Sequence, residues 1–77
     1  MDMDKIKREI LKAIENKSGK KVTTKSVLKD IGMDSLDMLD QVVEFEAKYN
    51  IKINDEDLFE IKSVQDIVNT VEKYVKK

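Results

Sequence analysis

Apolar residues recur at helical spacing in three stretches of this chain. Ile6, Ile10, Leu11 and Ile14, led in by Met3, fall every three to four residues, so residues 4–16 read as one amphipathic helix that ends at Asn16 to Gly19. A second run extends from Asp34 to Tyr49. At about 100° per residue, Met38, Val42, Phe45 and Tyr49 stack in a narrow arc that should face a core. Asp34 at the N-cap with Asp37 three residues on is a carboxylate version of the capping box. Ser63, with Asp66 in the same relation, opens a last helix whose stripe is Val64, Ile67, Val68, Val71, Tyr74 and Val75. Lys73, Lys76 and Lys77 suit the negative end of its dipole.

The connections are uneven. Residues 17–33 hold Lys, Thr, Ser and both glycines, with Val22, Val27, Leu28 and Ile31 as scattered anchors. Such a length exceeds the usual helix connection and argues for a functional loop or one with its own short turn. Ile51 and Ile53 flank Lys52 in an extended link, and residues 55–61 can form a short helix capped by Asn54 or Asp55. No repeat or composition break divides the chain. The expected fold is all-α: residues 1–77 as a single domain, a small four-helix bundle of three longer helices and one short one, with a long loop after the first helix.

The middle helix carries a second apolar arc, about a third of a turn from the first. Leu36, Leu39, Val43 and Ala47 form it, bordered by Asp37, Asp40 and Glu44. An apolar stripe ringed by acids has the character of a docking surface.

Charge strengthens that reading. The formal net charge is −1, but residues 1–33 carry nine basic and five acidic side chains, residues 34–60 two and nine, and residues 61–77 four and two. A concentrated acidic middle repels nucleic acid phosphates, which argues against a helical DNA binder, and favours basic protein partners. The chain has no Cys, His or Pro, so helix packing alone must stabilise a domain small enough to bury only roughly 60% of its unfolded surface. Apolar runs stop at two or three residues, too short for a membrane span or signal peptide. A soluble cytoplasmic monomer without stable membrane insertion is expected.

Without His, Cys or a Gly-rich phosphate loop, the chain offers no catalytic constellation, and an enzyme is not expected. The central carboxylates lack the spacing and turn glycine of a calcium loop, so no metal site is expected. Ser35 differs by its place. It lies after a Gly32-Met33-Asp34 turn at a helix start, where free backbone donors and the positive end of the dipole suit a phosphate, although Asp34 and Asp37 oppose the added charge. Taken alone, DSLD is a capping sequence that permits modification without requiring it.

Residues 27–64, VLKDIGMDSLDMLDQVVEFEAKYNIKINDEDLFEIKSV, resemble the acyl carrier proteins over their whole length. The resemblance includes the DxGxDSLD signature, the acidic second helix and the I-x-DE-x segment. It separates the chain from peptidyl carriers, whose serine lies in a different context, and less sharply from polyketide and D-alanyl carriers.

The resemblance implies that Ser35 bears a 4'-phosphopantetheine arm, transferred from coenzyme A by a separate phosphopantetheinyl transferase, and that acyl intermediates of fatty acid synthesis ride on it as thioesters. It assigns partner recognition to Asp34, Leu36, Asp37, Leu39, Asp40, Val43, Glu44 and Glu46, read by soluble synthesis or acyltransferase enzymes with basic docking surfaces. It points to Val27, Leu28, Val42, Phe45, Ile53, Leu58, Ile61 and Ile67 as walls of an acyl pocket, although each also reads as core packing. Departures from the family pattern are Gln41 where an apolar residue is usual, Ala47 and Lys48 within an acidic run, and Asn54 where Pro is common. The alternatives are a carrier for polyketide, lipid-tailoring or D-alanyl transfer, and an unmodified acidic interaction module.

Overall fold

Ile6, Ile10 and Ile14 are sealed from solvent along one side of α1 (Met3–Ser18), which extends the 4–16 pattern at both ends. Its stop is set by Gly19 rather than Asn16: Gly19 adopts φ 73° and donates its amide to the Glu15 carbonyl at 2.8 Å, as a glycine beyond a helix end does. The structure is a computed structural model that describes residues 3–76, so the expected dipole role of Lys77 falls outside the described residues.

The long connection folds back over the bundle. Val22 is buried, and its amide donates to Glu15 Oε2 at 3.0 Å, which returns the chain to the end of α1. Its own short turn is a 3-10 helix, Leu28–Ile31, both ends of which are buried, and Gly32 terminates it at φ 76°. Three backbone bonds tie this loop to the start of the last helix and the residue before its cap: Leu28 N to Lys62 O at 3.1 Å, Val64 N to Ser26 O at 2.9 Å and Gln65 N to Thr24 O at 3.0 Å. They include an isolated antiparallel bridge between Val27 and Ser63, and there is no strand among the described residues.

The second helix, α2, is Ser35–Tyr49, capped by Asp34, whose Oδ1 accepts from the Asp37 amide at 2.9 Å. This is the forward half of the expected capping box; two carboxylates repel, and Asp37 does not return the bond among the described residues. Val42 and Phe45 are buried with Met38 and Tyr49 packed beside them, as the spacing predicts. Gln41 is buried as well, only 1% exposed. Its Nε2 donates to Glu44 Oε2 at 3.0 Å, while its Oε1 has no partner among the described residues.

The short helix, α3 (Asp55–Phe59), ends two residues before its predicted limit. Glu60 and Ile61 tighten into i→i+3 bonds to Asp57 and Leu58, which turns Ile61 into the core at 7% exposure. The N-cap is Asn54, without a side-chain bond, and α3 buries no residue fully. It is held instead by the last helix, α4 (Val64–Val75): Tyr74 donates to Asp57 Oδ2 and accepts from the Asn54 amide at 3.2 Å, while Lys73 pairs with Asp57 at 3.4 Å. The predicted α4 cap is complete, with Ser63 and Asp66 bonded in both directions.

The core lies where α1 packs on α4 and α2, and Val64, Val68 and Val71 are wholly inaccessible. Each such side chain contributes roughly 1.5–3 kcal/mol relative to exposure. A polar clamp joins α1 to α2: Glu9 accepts from the Tyr49 hydroxyl at 2.8 Å and pairs with Lys48 at 3.2 Å, and Lys17 pairs with Asp40 at 3.6 Å. Lys48, out of place in an acidic run, thus serves the helix interface. No helix among the described residues is long and apolar enough to cross a membrane.

Candidate modification site at the start of the second helix

Ser35 is the first residue of α2, and the turn before it sets its position. Gly32 donates back to the 3-10 helix and Met33 N donates to Leu28 O at 2.9 Å, so the chain enters α2 from a fixed corner. Met33, buried at 4%, and Met38 stand at the N′ and N4 positions of a hydrophobic staple, which fixes the angle of entry. The serine is exposed and its hydroxyl makes no hydrogen bond among the described residues. The hydroxyl is therefore open to an incoming group. No imidazole exists in the chain to activate it.

Two clefts meet at this residue. The larger, about 590 Å³, runs toward the long loop and is lined by apolar Val27, Leu28, Met33, Met38 and Ile61 together with Lys29, Lys62 and Asp34. The smaller, about 390 Å³, runs toward α3 and is lined by Met38, Leu39, Leu58, Phe59 and Ile61 with Asp55. Ser35, Met38 and Ile61 belong to both.

Of the residues expected to wall an acyl pocket, Val27, Leu28, Leu58 and Ile61 border these clefts. Val42, Phe45, Ile53 and Ile67 do not: each is at most 4% exposed and belongs to the closed core. Here the helical arc that marks a buried face cannot distinguish a pocket wall from packing.

The expected recognition stripe is on the surface. Leu36 is 71% exposed and Val43 60%, Leu39 and Ala47 are also exposed, and Asp34, Asp40 and Glu44 are exposed beside them, with Asp37 half-buried. Glu46 departs from this face. Its Oε2 accepts from the Ile53 amide at 2.7 Å, so its carboxylate holds the link after α2 rather than projecting to solvent. Phe59, 83% exposed at the end of α3, extends the apolar surface, and no periodicity in so short a helix marks it. Lys29 and Lys62 beside Ser35 are equally unmarked, because their proximity to one another depends on the loop's bonds to residues 62–65.

The family model described as phosphopantetheine attachment site matches residues 8–71. The acyl carrier protein of Buchnera aphidicola is 38% identical over 77 residues, covering 95% of this chain and 99% of that one. An acyl carrier protein homolog of Mycoplasmopsis pulmonis is 37% identical over 68 residues, 88% of this chain and 93% of its own. The crystal structure of the acyl carrier protein from Thermotoga maritima superposes with a TM-score of 0.82 at 29% identity, covering 99% of this chain and 93% of that one.

Proposed function

The chain belongs to the acyl carrier protein family, and from that premise we propose that Ser35 is the residue that bears its prosthetic group. The protein is an acyl carrier of fatty acid biosynthesis, and the group is 4'-phosphopantetheine. That group supplies a thiol, which a chain without Cys otherwise lacks, and the thiol holds acyl intermediates as thioesters.

One observation carries the assignment to Ser35: an exposed hydroxyl with no hydrogen bond among the described residues stands in a wall common to two clefts. The residues around it fit the group. The start of α2 offers amides and a positive dipole end to the phosphodiester, and the clefts offer apolar walls to the rest of the arm. Lacking a base nearby, Ser35 gives up its proton to a transferase rather than to a side chain of its own. Residues 1–77 act as one non-enzymatic, cytoplasmic carrier domain in this reading.

Leu36, Leu39 and Val43 with Asp34, Asp37, Asp40 and Glu44 form the face that the transferase and the synthesis enzymes read. The support is the pairing of exposed apolar side chains with an acidic rim, which steers a basic partner quickly yet leaves a complex that can release. The test is incubation with coenzyme A and a phosphopantetheinyl transferase, read by intact mass. Wild type gains the arm and Ser35→Ala gains nothing; an unmodified wild type, or an equal gain on Ser35→Ala, contradicts the assignment. Asp37→Lys with Asp40→Lys slows the transfer about tenfold or more with helicity retained, since reversing rim charges acts on encounter. Unchanged rates in that variant would count against this face.

A further inference from the structure

The two clefts at Ser35 differ in charge. The loop-side cleft has Lys29 and Lys62 in its walls against one acid, Asp34, whereas the α3-side cleft has Asp55 and no cation. Lys17, Lys48 and Lys73 are each engaged by a carboxylate, but neither Lys29 nor Lys62 forms an ion pair among the described residues. Both are exposed. Their backbones are fixed relative to one another, because Lys29 sits in the 3-10 helix while the Lys62 carbonyl accepts from Leu28, the first residue of that helix. The same cleft is lined by apolar Val27, Leu28, Met33 and Met38.

A phosphodiester on Ser35 brings a negative charge into a neighbourhood that already contains Asp34 at the cap of α2, Asp37 in its first turn and Asp55 on α3. Repulsion from Asp55 disfavours the α3 side, while on the loop side two cations without carboxylate partners outweigh the single acid Asp34. The portion of the arm beyond the phosphodiester carries a geminal dimethyl group, which suits an apolar floor more than open water.

Resting on the assignment of the arm to Ser35, we propose that the phosphodiester pairs with Lys29 and Lys62 and that the first part of the arm lies in the loop-side cleft. The α3-side cleft, apolar and acidic, is then left free of the arm's charged end. Lys29 and Lys62 are positioning residues: they set the direction in which the thiol leaves the protein.

The arm-bearing protein, verified by intact mass, is labelled for NMR, and nuclear Overhauser contacts from the geminal methyls of the arm are recorded. Contacts to Val27 and Leu28 are expected, and contacts confined to Leu58 or Phe59, or none to the protein, overturn the proposal. In Lys29→Glu with Lys62→Glu, the loop-side population falls about fivefold, as loss of two exposed ion pairs implies. Lys20→Glu with Lys21→Glu makes the same charge change away from the cleft and leaves the contacts in place. Circular dichroism verifies that both variants keep their helices. Loop-side contacts that persist undiminished in the Lys29 and Lys62 variant also overturn the proposal. Failure of the wild type to gain the arm sinks the Ser35 assignment and this inference together, whereas a gained arm lying elsewhere sinks this inference alone.

Discussion

The placement of Ser35 depends on backbone more than on side-chain partners. Gly32 permits the turn that presents the serine, and it does so at φ 76° with nothing within 4 Å of where a Cβ would stand. Gly32→Ala should therefore be destabilising through conformation alone, by about 1–2 kcal/mol, with no steric contribution. Chemical denaturation reads this as a lower midpoint at unchanged slope. Gln41 poses the opposite case. Its buried, unpartnered Oε1 carries a desolvation cost, so Gln41→Leu should raise stability by about 1 kcal/mol, with the exposed Glu44 carboxylate returning to water. The family resemblance marks Gln41 as unusual for its position, but its burial to 1% comes with the packing of α2 on α1, which no local pattern contains.

The helices differ in what holds them. α4 has a complete cap and buries Val64, Ile67, Val68 and Val71, while α3 has five residues and no buried side chain and is tied to α4 by the Tyr74 hydroxyl, shared between Asp57 and Asn54, and by the exposed Lys73–Asp57 pair. Tyr74→Phe should loosen α3 selectively: amide exchange at residues 55–60 accelerates, while α1 amides keep their protection. The clamp between α1 and α2 gives a pH signature. The Tyr49 hydroxyl, then Lys48, hold the Glu9 carboxyl below its ordinary value. Burial, then Glu9, push the Tyr49 phenol up. A depressed carboxyl contributes stability above its unfolded value, and that contribution is lost as pH falls through the lower folded value. A raised phenol contributes stability below about pH 10, lost as pH rises beyond it. Melting temperatures across pH should thus fall at both extremes, and Glu9→Gln should flatten both arms. Equal pH dependence in wild type and Glu9→Gln would remove the clamp from the account.

Across the whole molecule, charge is segregated by segment rather than by net value, and the acidic middle coincides with the exposed stripe of α2. Transfer from a basic enzyme should slow as salt is raised, by steering lost rather than by unfolding. Helix periodicity made α1, α2 and α4 legible to within two residues, because their buried stripes are local patterns. The end of α3 was not, since Ile61 leaves the helix to reach a core assembled from other segments. Likewise, the signature singles out the serine, but its loop-side cleft arises only where the long loop is bonded to residues 62–65. The resemblance assigns Glu46 to the recognition face, but its carboxylate turns inward to a backbone amide seven residues away.

Fragmentation mass spectrometry of the protein isolated from its own cells tests the central claim most directly. The account predicts a phosphopantetheine arm on the peptide containing Ser35, part of it bearing acyl groups as thioesters. An unmodified Ser35 peptide, or an arm on Ser18, Ser26 or Ser63 instead, would contradict it.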